Sequence, residues 1–152
     1  MKIIQGDLVA MAQQGQFDVI VHGCNCFCAM GAGIAKSIRR AFPQAYEADL
    51  KTRKGDKSKL GSISWAKIPL EAKNLFVVNA YTQYRFSWKG KDVDYEAIRN
   101  AFREIKKQFS GLKIAYPAIG AGLAGGDWEI IAEIIEEELL GEDHYFIEFS
   151  GK

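Results

Sequence analysis

The amino-acid sequence predicts a three-layer α/β/α fold: a mixed, mostly parallel sheet of six or seven strands with helices on both faces. Three observations carry this. Short runs rich in β-branched residues alternate with amphipathic helical stretches from end to end. The helical stretches are long enough to serve as crossovers between parallel strands. No repeat, low-complexity tract or linker interrupts the alternation, so residues 1–152 read as one domain.

Met1–Gln5 is a short apolar strand, followed by Gly6-Asp7 and a brief helix over Leu8–Gln14. Phe17–Cys24 (FDVIVHGC) reads as a buried strand. Ala32–Phe42 reads as a helix that Pro43 interrupts or restarts. In Gly61–Ile68, the alternation of Ile63, Trp65 and Lys67 on one face predicts an edge strand, while Leu75–Tyr81 is apolar enough to be central. Tyr95, Ile98, Phe102, Ile105 and Phe109 recur at steps of 3, 4, 3 and 4, the apolar stripe of a helix that Gly111 stops. Leu112–Ala118 is a further strand, and Trp128, Ile131, Ile134, Ile135 and Leu139 mark a second amphipathic helix. His144–Phe149 is the last strand.

Composition narrows the function. With 20 Lys plus Arg against 19 Asp plus Glu, the net charge is +1, which removes the electrostatic case for a dedicated nucleic-acid or anionic-membrane binder. No apolar run approaches the roughly 18 residues of a membrane span, and Met1–Asp7 has no signal-peptide core. Three cysteines, an odd number in a chain too large to need disulfide staples, favour a reducing, cytoplasmic setting in a bacterial, phage-infected or eukaryotic cell. Nothing in the surface pattern calls for a partner copy, so a monomer is expected. The segment Lys51–Lys59 carries five Lys or Arg against one Asp, but no aromatic residue interleaves it, so it reads as a solvated loop.

Two glycine loops are the informative feature. Each follows a strand and opens a helix: Gly23–Ile34 (GCNCFCAMGAGI) and Pro117–Asp127 (PAIGAGLAGGD). In a parallel sheet both lie at the carboxyl ends of strands, where ligands bind. Glycine lets backbone N–H groups approach an anion closely, and a helix N-terminus adds unpaired donors. Two such loops side by side clamp a diphosphate without lysine or metal. Gly120–Gly125 also fits G-x-G-x-x-G, the dinucleotide fingerprint, with Glu148 at a plausible ribose-binding distance; only one strand follows it, however, whereas the fingerprint normally opens a nucleotide-binding half.

Taken together, Gly6-Asp7-Leu8, Val19–Cys26, Met30–Ala35 and Pro117–Gly122 resemble a macrodomain over nearly the whole chain. Val21-His22-Gly23-Cys24-Asn25-Cys26 and Asn79–Gln83 narrow the resemblance to the Appr-1''-p-processing branch, the ADP-ribose 1''-phosphate phosphatases of yeast, bacteria and phages. The resemblance implies that Asp7 accepts the adenine amino group, Leu8 lines the adenine pocket, Phe149 stacks on adenine and Asn25 pairs with the distal ribose. It sets Gly31, Ala32, Gly33 and Ile34 on one side of the diphosphate and Gly120, Ala121, Gly122 and Leu123 on the other. The implied ligand is ADP-ribose or its 1''-phosphate, with ADP-ribosylated macromolecules as further partners and no cofactor or metal.

For chemistry, the same branch carries a histidine at the position of His22, which points to proton transfer near the distal ribose. Asp127 reads as a helix N-cap that also positions water or assists His22. Cys24, Cys26 and Cys28 alternate with His22 but lack the paired hooks of a zinc site and read as small buried thiols. Tyr81, Tyr84, Phe86 and Trp88 crowd the end of the central strand as core, rim or a wall over the distal ribose. A neighbouring branch uses a lysine just after this strand; here the sequence is Thr82-Gln83-Tyr84-Arg85. The expected activity is hydrolysis of ADP-ribose 1''-phosphate to ADP-ribose and phosphate. Alternatives are an ADP-ribosyl hydrolase, an O-acetyl-ADP-ribose deacetylase or a non-catalytic reader.

Overall fold

The structure, a computed structural model, describes residues 1–87 and 91–149. In chain order the elements are β1 (Lys2–Gly6), α1 (Leu8–Gln13), β2 (Val19–Cys24), α2 (Gly33–Ala41), α3 (Pro43–Leu50), a 3₁₀ turn (Lys57–Lys59), β3 (Ile63–Pro69), β4 (Asn74–Tyr81), α4 (Tyr95–Phe109), β5 (Ile114–Tyr116), α5 (Trp128–Glu138) and β6 (His144–Phe149). The strands form one six-stranded sheet in the order β1-β6-β5-β2-β4-β3. All neighbours pair in parallel except β3, which lies antiparallel to β4 at the edge. The carboxyl ends of the five parallel strands therefore share one rim.

β2 shows how the sequence builds two cores. Val19 and Val21 point to one face and Ile20 to the other, because side chains alternate along a strand. The first face packs Val78, Ile98, Phe102, Ile131 and Phe146 beneath α4 and α5. The second packs Phe17, Met30, Ile38, Val77 and Tyr145 beneath α1, α2 and α3. Each fully buried aliphatic or aromatic side chain contributes about 1.5–3 kcal/mol, so these two layers dominate the stability.

The helix expected over Ala32–Phe42 is α2, and the restart expected at Pro43 is α3: Phe42 leaves helical geometry (φ −131°, ψ 74°) and Pro43 opens the next helix, where its missing N–H costs nothing. One element differs from the sequence expectation for a local reason. β5 is shorter than Leu112–Ala118, since the Asp18 carboxylate accepts the Lys113 N–H (2.9 Å) before the strand begins. The basic segment is also not wholly solvated. Lys59 is buried, with its ammonium 3.2 Å from the Cys26 carbonyl and 4.6 Å from the Tyr81 ring centre.

Candidate functional site

A cavity of about 450 Å³ opens at the carboxyl ends of β2, β4 and β5, a size suited to a small-molecule ligand. Two backbone lips flank it. The first runs from Asn25 to α2. Asn25 shapes it as an Asx-type turn, its Oδ1 accepting from Phe27 N–H (2.9 Å) and its Nδ2 donating to the Ala29 carbonyl (2.9 Å). No side chain caps α2, and Lys36 N–H is the first to reach back, to the Ala32 carbonyl at 3.4 Å. The N–H groups of Gly33, Ile34 and Ala35 thus remain as donors on residues that line the cavity. Gly33 has φ +58°, a left-handed conformation that a residue with a Cβ adopts only at a cost.

The second lip is Pro117–Gly126. Ala121 N–H donates back to the Ala118 carbonyl (3.2 Å), and Gly126 N–H to the Gly120 carbonyl (2.7 Å). Gly120 has φ +75°, and a Cβ there would stand 2.6 Å from Val93 Cγ2. Among the described residues, the N–H groups of Gly122, Leu123 and Ala124 donate to no backbone carbonyl. The lips come together where Leu123 Cδ1 lies 3.9 Å from the place a Gly33 Cβ would occupy.

Of the residues expected to bind ligand, Asn25, Gly31, Ala32, Gly33, Ile34, Gly120, Gly122 and Leu123 line this one cavity. Ala121 does not, because its N–H is spent in the turn and its side chain packs on the core. Asp7 and Phe149 sit farther along the same rim, at the ends of β1 and β6, where Gly6 pairs with Phe149. Phe149 is 69% exposed and free to stack, whereas one Asp7 oxygen caps α1 through Ala10 N–H (3.1 Å). Leu8, expected at the adenine pocket, is 3% exposed and packs with Ala12, Phe17 and Ile147.

The structure places both catalytic candidates outside the lining of the cavity. His22 is fully buried and does not line the cavity, because strand alternation turns it toward α3. Its Nε2 lies 2.6 Å from Asn79 Oδ1. Asn79 Nδ2 donates to the Ala45 carbonyl and to Ser64 Oγ (both 3.0 Å), so Oδ1 is the accepting end and His22 carries its proton on Nε2. Burial depresses the imidazole pKa to about 4, only partly opposed by the Asn79 bond. Asp127 is exposed and outside the cavity; its Oδ1 accepts Glu129 N–H (2.9 Å) as the N-cap of α5. That cap also means the second lip offers loop amides and not an open helix terminus.

The polar chain from Asn79 continues inward. Ser64 Oγ lies 2.8 Å from Tyr81 Oη, which donates to Asp49 Oδ1 at 2.7 Å. Burial raises the pKa of Tyr81, and it raises that of Asp49 against the Tyr81 bond and nearby Lys59. The Cys24 thiol, which does line the cavity, is pushed well up by burial and is no ready nucleophile. Tyr81 thus belongs to the core, while Phe86 and Gln83 form the cavity wall beyond β4. Trp88 lies outside the described residues. Gln83 was missed as a ligand-lining residue, although the rule that placed the glycine loops, applied to the end of β4, points to it. Among the described residues lining the cavity there is no Asp, Glu, His, Lys or Arg.

The comparisons with known proteins agree with this geometry. A phage T4 protein, described as an uncharacterized 17.5 kDa protein in the tk-vs intergenic region, is 39% identical over 141 residues, covering 89% of this chain and 87% of its own. A bovine protein, ADP-ribose glycohydrolase OARD1, is 29% identical and covers 92% of this chain and 84% of its own. The solved structure of Thermosipho africanus DarTG in complex with ADP-ribose superimposes with a TM-score of 0.71 at 20% identity, over 97% of this chain and 42% of that one. The family model named Macro domain matches residues 21–135, and with it the two amide lips and the sheet rim between them: this chain belongs to the Macro domain family.

Proposed function

We propose that this macro domain binds ADP-ribose in the cavity and hydrolyses a bond to the distal ribose, with ADP-ribose 1''-phosphate as its substrate. The observation that carries the binding half is the pair of facing lips, whose free N–H groups project from uncharged residues. Bare amides suit a diphosphate, and they explain how a chain of net charge +1 binds a dianion. Adenine then lies toward Asp7 and Phe149, the diphosphate between Gly33 and Leu123, and the distal ribose against Asn25, Gln83 and Phe86. The Thermosipho protein of the same fold is solved with ADP-ribose, and the bovine relative is named for hydrolysing an ADP-ribose bond.

The described residues lining the cavity include no Asp, Glu, His, Lys or Arg, and in this reading the phosphate itself handles the protons. Water oxygen bonds to phosphorus as the P–O bond to the ribose C1'' oxygen breaks. The proton of the phosphate monoanion passes to that leaving oxygen, and ADP-ribose and dihydrogen phosphate depart. The protein holds the diphosphate and ribose so that water and phosphorus stay aligned. Phosphate release from ADP-ribose 1''-phosphate, together with calorimetry of ADP-ribose against NAD and AMP, tests this reading. Tight binding of ADP-ribose without phosphate release would leave a binding protein. Turnover confined to ADP-ribosylated macromolecules would make the chain an ADP-ribosyl hydrolase.

A further inference from the structure

Behind the first lip, on the side away from the cavity, a thiol and an ammonium meet. Cys28 lies between Asn25 and Ala29, which both line the cavity and are joined by the Asn25 Nδ2 bond to the Ala29 carbonyl. Its backbone is left-handed (φ +55°), alone in this among the described residues other than glycine. Its thiol fastens that turn to the end of α3, donating to the Asp49 carbonyl at 3.3 Å with Thr52 Oγ1 3.6 Å away. Lys59 reaches the same sulfur from the 3₁₀ turn, its Nζ 3.8 Å from Cys28 Sγ and 3.2 Å from the Cys26 carbonyl.

Lys59 makes this place more than a buried thiol. It is 7% exposed, yet among the described residues no carboxylate forms an ion pair with it. Buried charges are ordinarily paired, because leaving water is costly. Asp49 is near enough to feel the charge, but its Oδ1 takes the Tyr81 hydroxyl and its Oδ2 has no hydrogen-bond partner. The ammonium is left against a carbonyl, the Tyr81 ring and a sulfur. A negative charge formed on that sulfur completes its pair. The three thiols are not equivalent in reach. Cys24 and Cys26 are buried, and burial pushes both thiol pKa values up, whereas Cys28 is half-buried. A small oxidant arriving from water meets Cys28 first.

We infer that Cys28 is a peroxide-oxidised modification site, whose sulfenate is held by Lys59 and whose oxidation loosens the first lip. The Cys28 sulfur attacks one oxygen of hydrogen peroxide, and the S–O bond forms as the O–O bond breaks. Sulfur is oxidised by two electrons, and the departing hydroxyl takes up the thiol proton and leaves as water. The sulfenic acid then gives its proton to solvent, and the sulfenate faces Lys59. The S–H donor is gone, and an oxygen on sulfur beside the Asp49 carbonyl sets two acceptors against each other. That carbonyl keeps the Thr52 hydroxyl (2.6 Å) and N–H (3.0 Å), so the sulfur is the partner that turns away. Residue 28 loses what fixed it in left-handed backbone, and Asn25 and Ala29 shift at the cavity edge. The modification site stands on Cys28 and Lys59 alone; its effect on the ligand rests on the ADP-ribose reading.

The test treats the reduced full chain with equimolar hydrogen peroxide in the presence of dimedone, which traps sulfenic acid, and locates the label by peptide mass. The label should fall on Cys28, be absent in Cys28→Ser and persist in the double variant Cys24→Ser, Cys26→Ser. Its rate should fall about tenfold in whichever of Lys59→Met and Lys59→Gln keeps the parent thermal midpoint, and should return in Lys59→Arg. A lysine with only a structural role gives no such dependence on charge. Label on Cys24 or Cys26, no label, or a rate indifferent to the charge at residue 59 would each overturn the inference. In calorimetry after oxidation without dimedone, ADP-ribose should bind about tenfold more weakly and recover with dithiothreitol, while Cys28→Ser should not respond to peroxide. Unchanged affinity in a chain oxidised at Cys28 would overturn the loosening of the lip. Failure of ADP-ribose to bind the reduced chain, with Cys28 still labelled, would instead overturn the cavity assignment and leave the modification site standing.

Discussion

The Nε2 of His22 and the Oδ1 of Asn79 meet at 2.6 Å across the paired strands β2 and β4, in a part of the fold that solvent does not reach. The bond starts a directional series in which Asn79 donates to Ser64, Ser64 to Tyr81 and Tyr81 to Asp49. The imidazole is neutral at physiological pH and locked in one tautomer.

Its titration is measurable as stability. The folded pKa is about 4 against an ordinary 6.5, so between these values the unfolded chain binds more protons. Stability is therefore full above pH 6.5 and falls as pH drops toward 4, with His22 accounting for about 3 kcal/mol of the loss. Urea titrations from pH 7 to pH 4 should show this slope. In His22→Gln, which keeps an N–H for Asn79 and has no charge to gain, that part of the slope should vanish.

The same variant addresses catalysis. Because His22 does not line the cavity, the proposed phosphate release should persist in His22→Gln within a few-fold of the parent. Asp127→Ala should cost about 1 kcal/mol of stability from the lost N-cap while leaving kcat largely unchanged. A fall of a hundredfold or more in kcat in either folded variant would restore the residue to the mechanism.

If the phosphate monoanion supplies the proton, kcat/KM for ADP-ribose 1''-phosphate follows the monoanion fraction. It should fall about tenfold per pH unit above the phosphate pKa of about 6, with no basic limb contributed by a protein group. A pH–rate profile on the parent protein checks this, and a bell centred near neutrality would point to a side-chain acid and base instead.

The lips make separate predictions. Gly33→Ala forces a Cβ into left-handed backbone (φ +58°), costing about 1–2 kcal/mol and shifting the α2 amides; ADP-ribose affinity should fall about tenfold. Leu123→Ala removes the side chain that reaches toward Gly33, and the dissociation rate should rise several-fold with little change in melting temperature, since Leu123 is 57% exposed. Stopped-flow displacement and calorimetry distinguish the two effects.

Much of this was legible in the residues alone. The stripe from Tyr95 to Phe109 is α4, and the two glycine loops do flank one cavity, because helical period and strand-to-helix glycines are local signals. What escaped was directional. The alternation that makes Phe17–Cys24 a strand also turns His22 away from the ligand, but which face holds the ligand is decided by sheet order. The surroundings of the basic segment were hidden for a similar reason: Phe27 and Tyr84 reach Gly55 only through tertiary pairing. The break at Phe42 was legible too, since Pro43 marked the point where one helix ends or the next restarts, and only the choice between the two needed the structure.

The second lip is fastened to something besides its own strand. Asp92 and Val93 both donate N–H to the Ala124 carbonyl, Val93 bridges to Gln83, and Asp94 N–H returns to Thr82. A single extended stretch thus yokes the amides that face one end of the cavity to the wall at the other. Under the proposed binding mode, the loop that would meet the pyrophosphate and the wall that would meet the distal sugar hang on one shared tether, so neither could shift without straining the hydrogen bonds of residues 92–94.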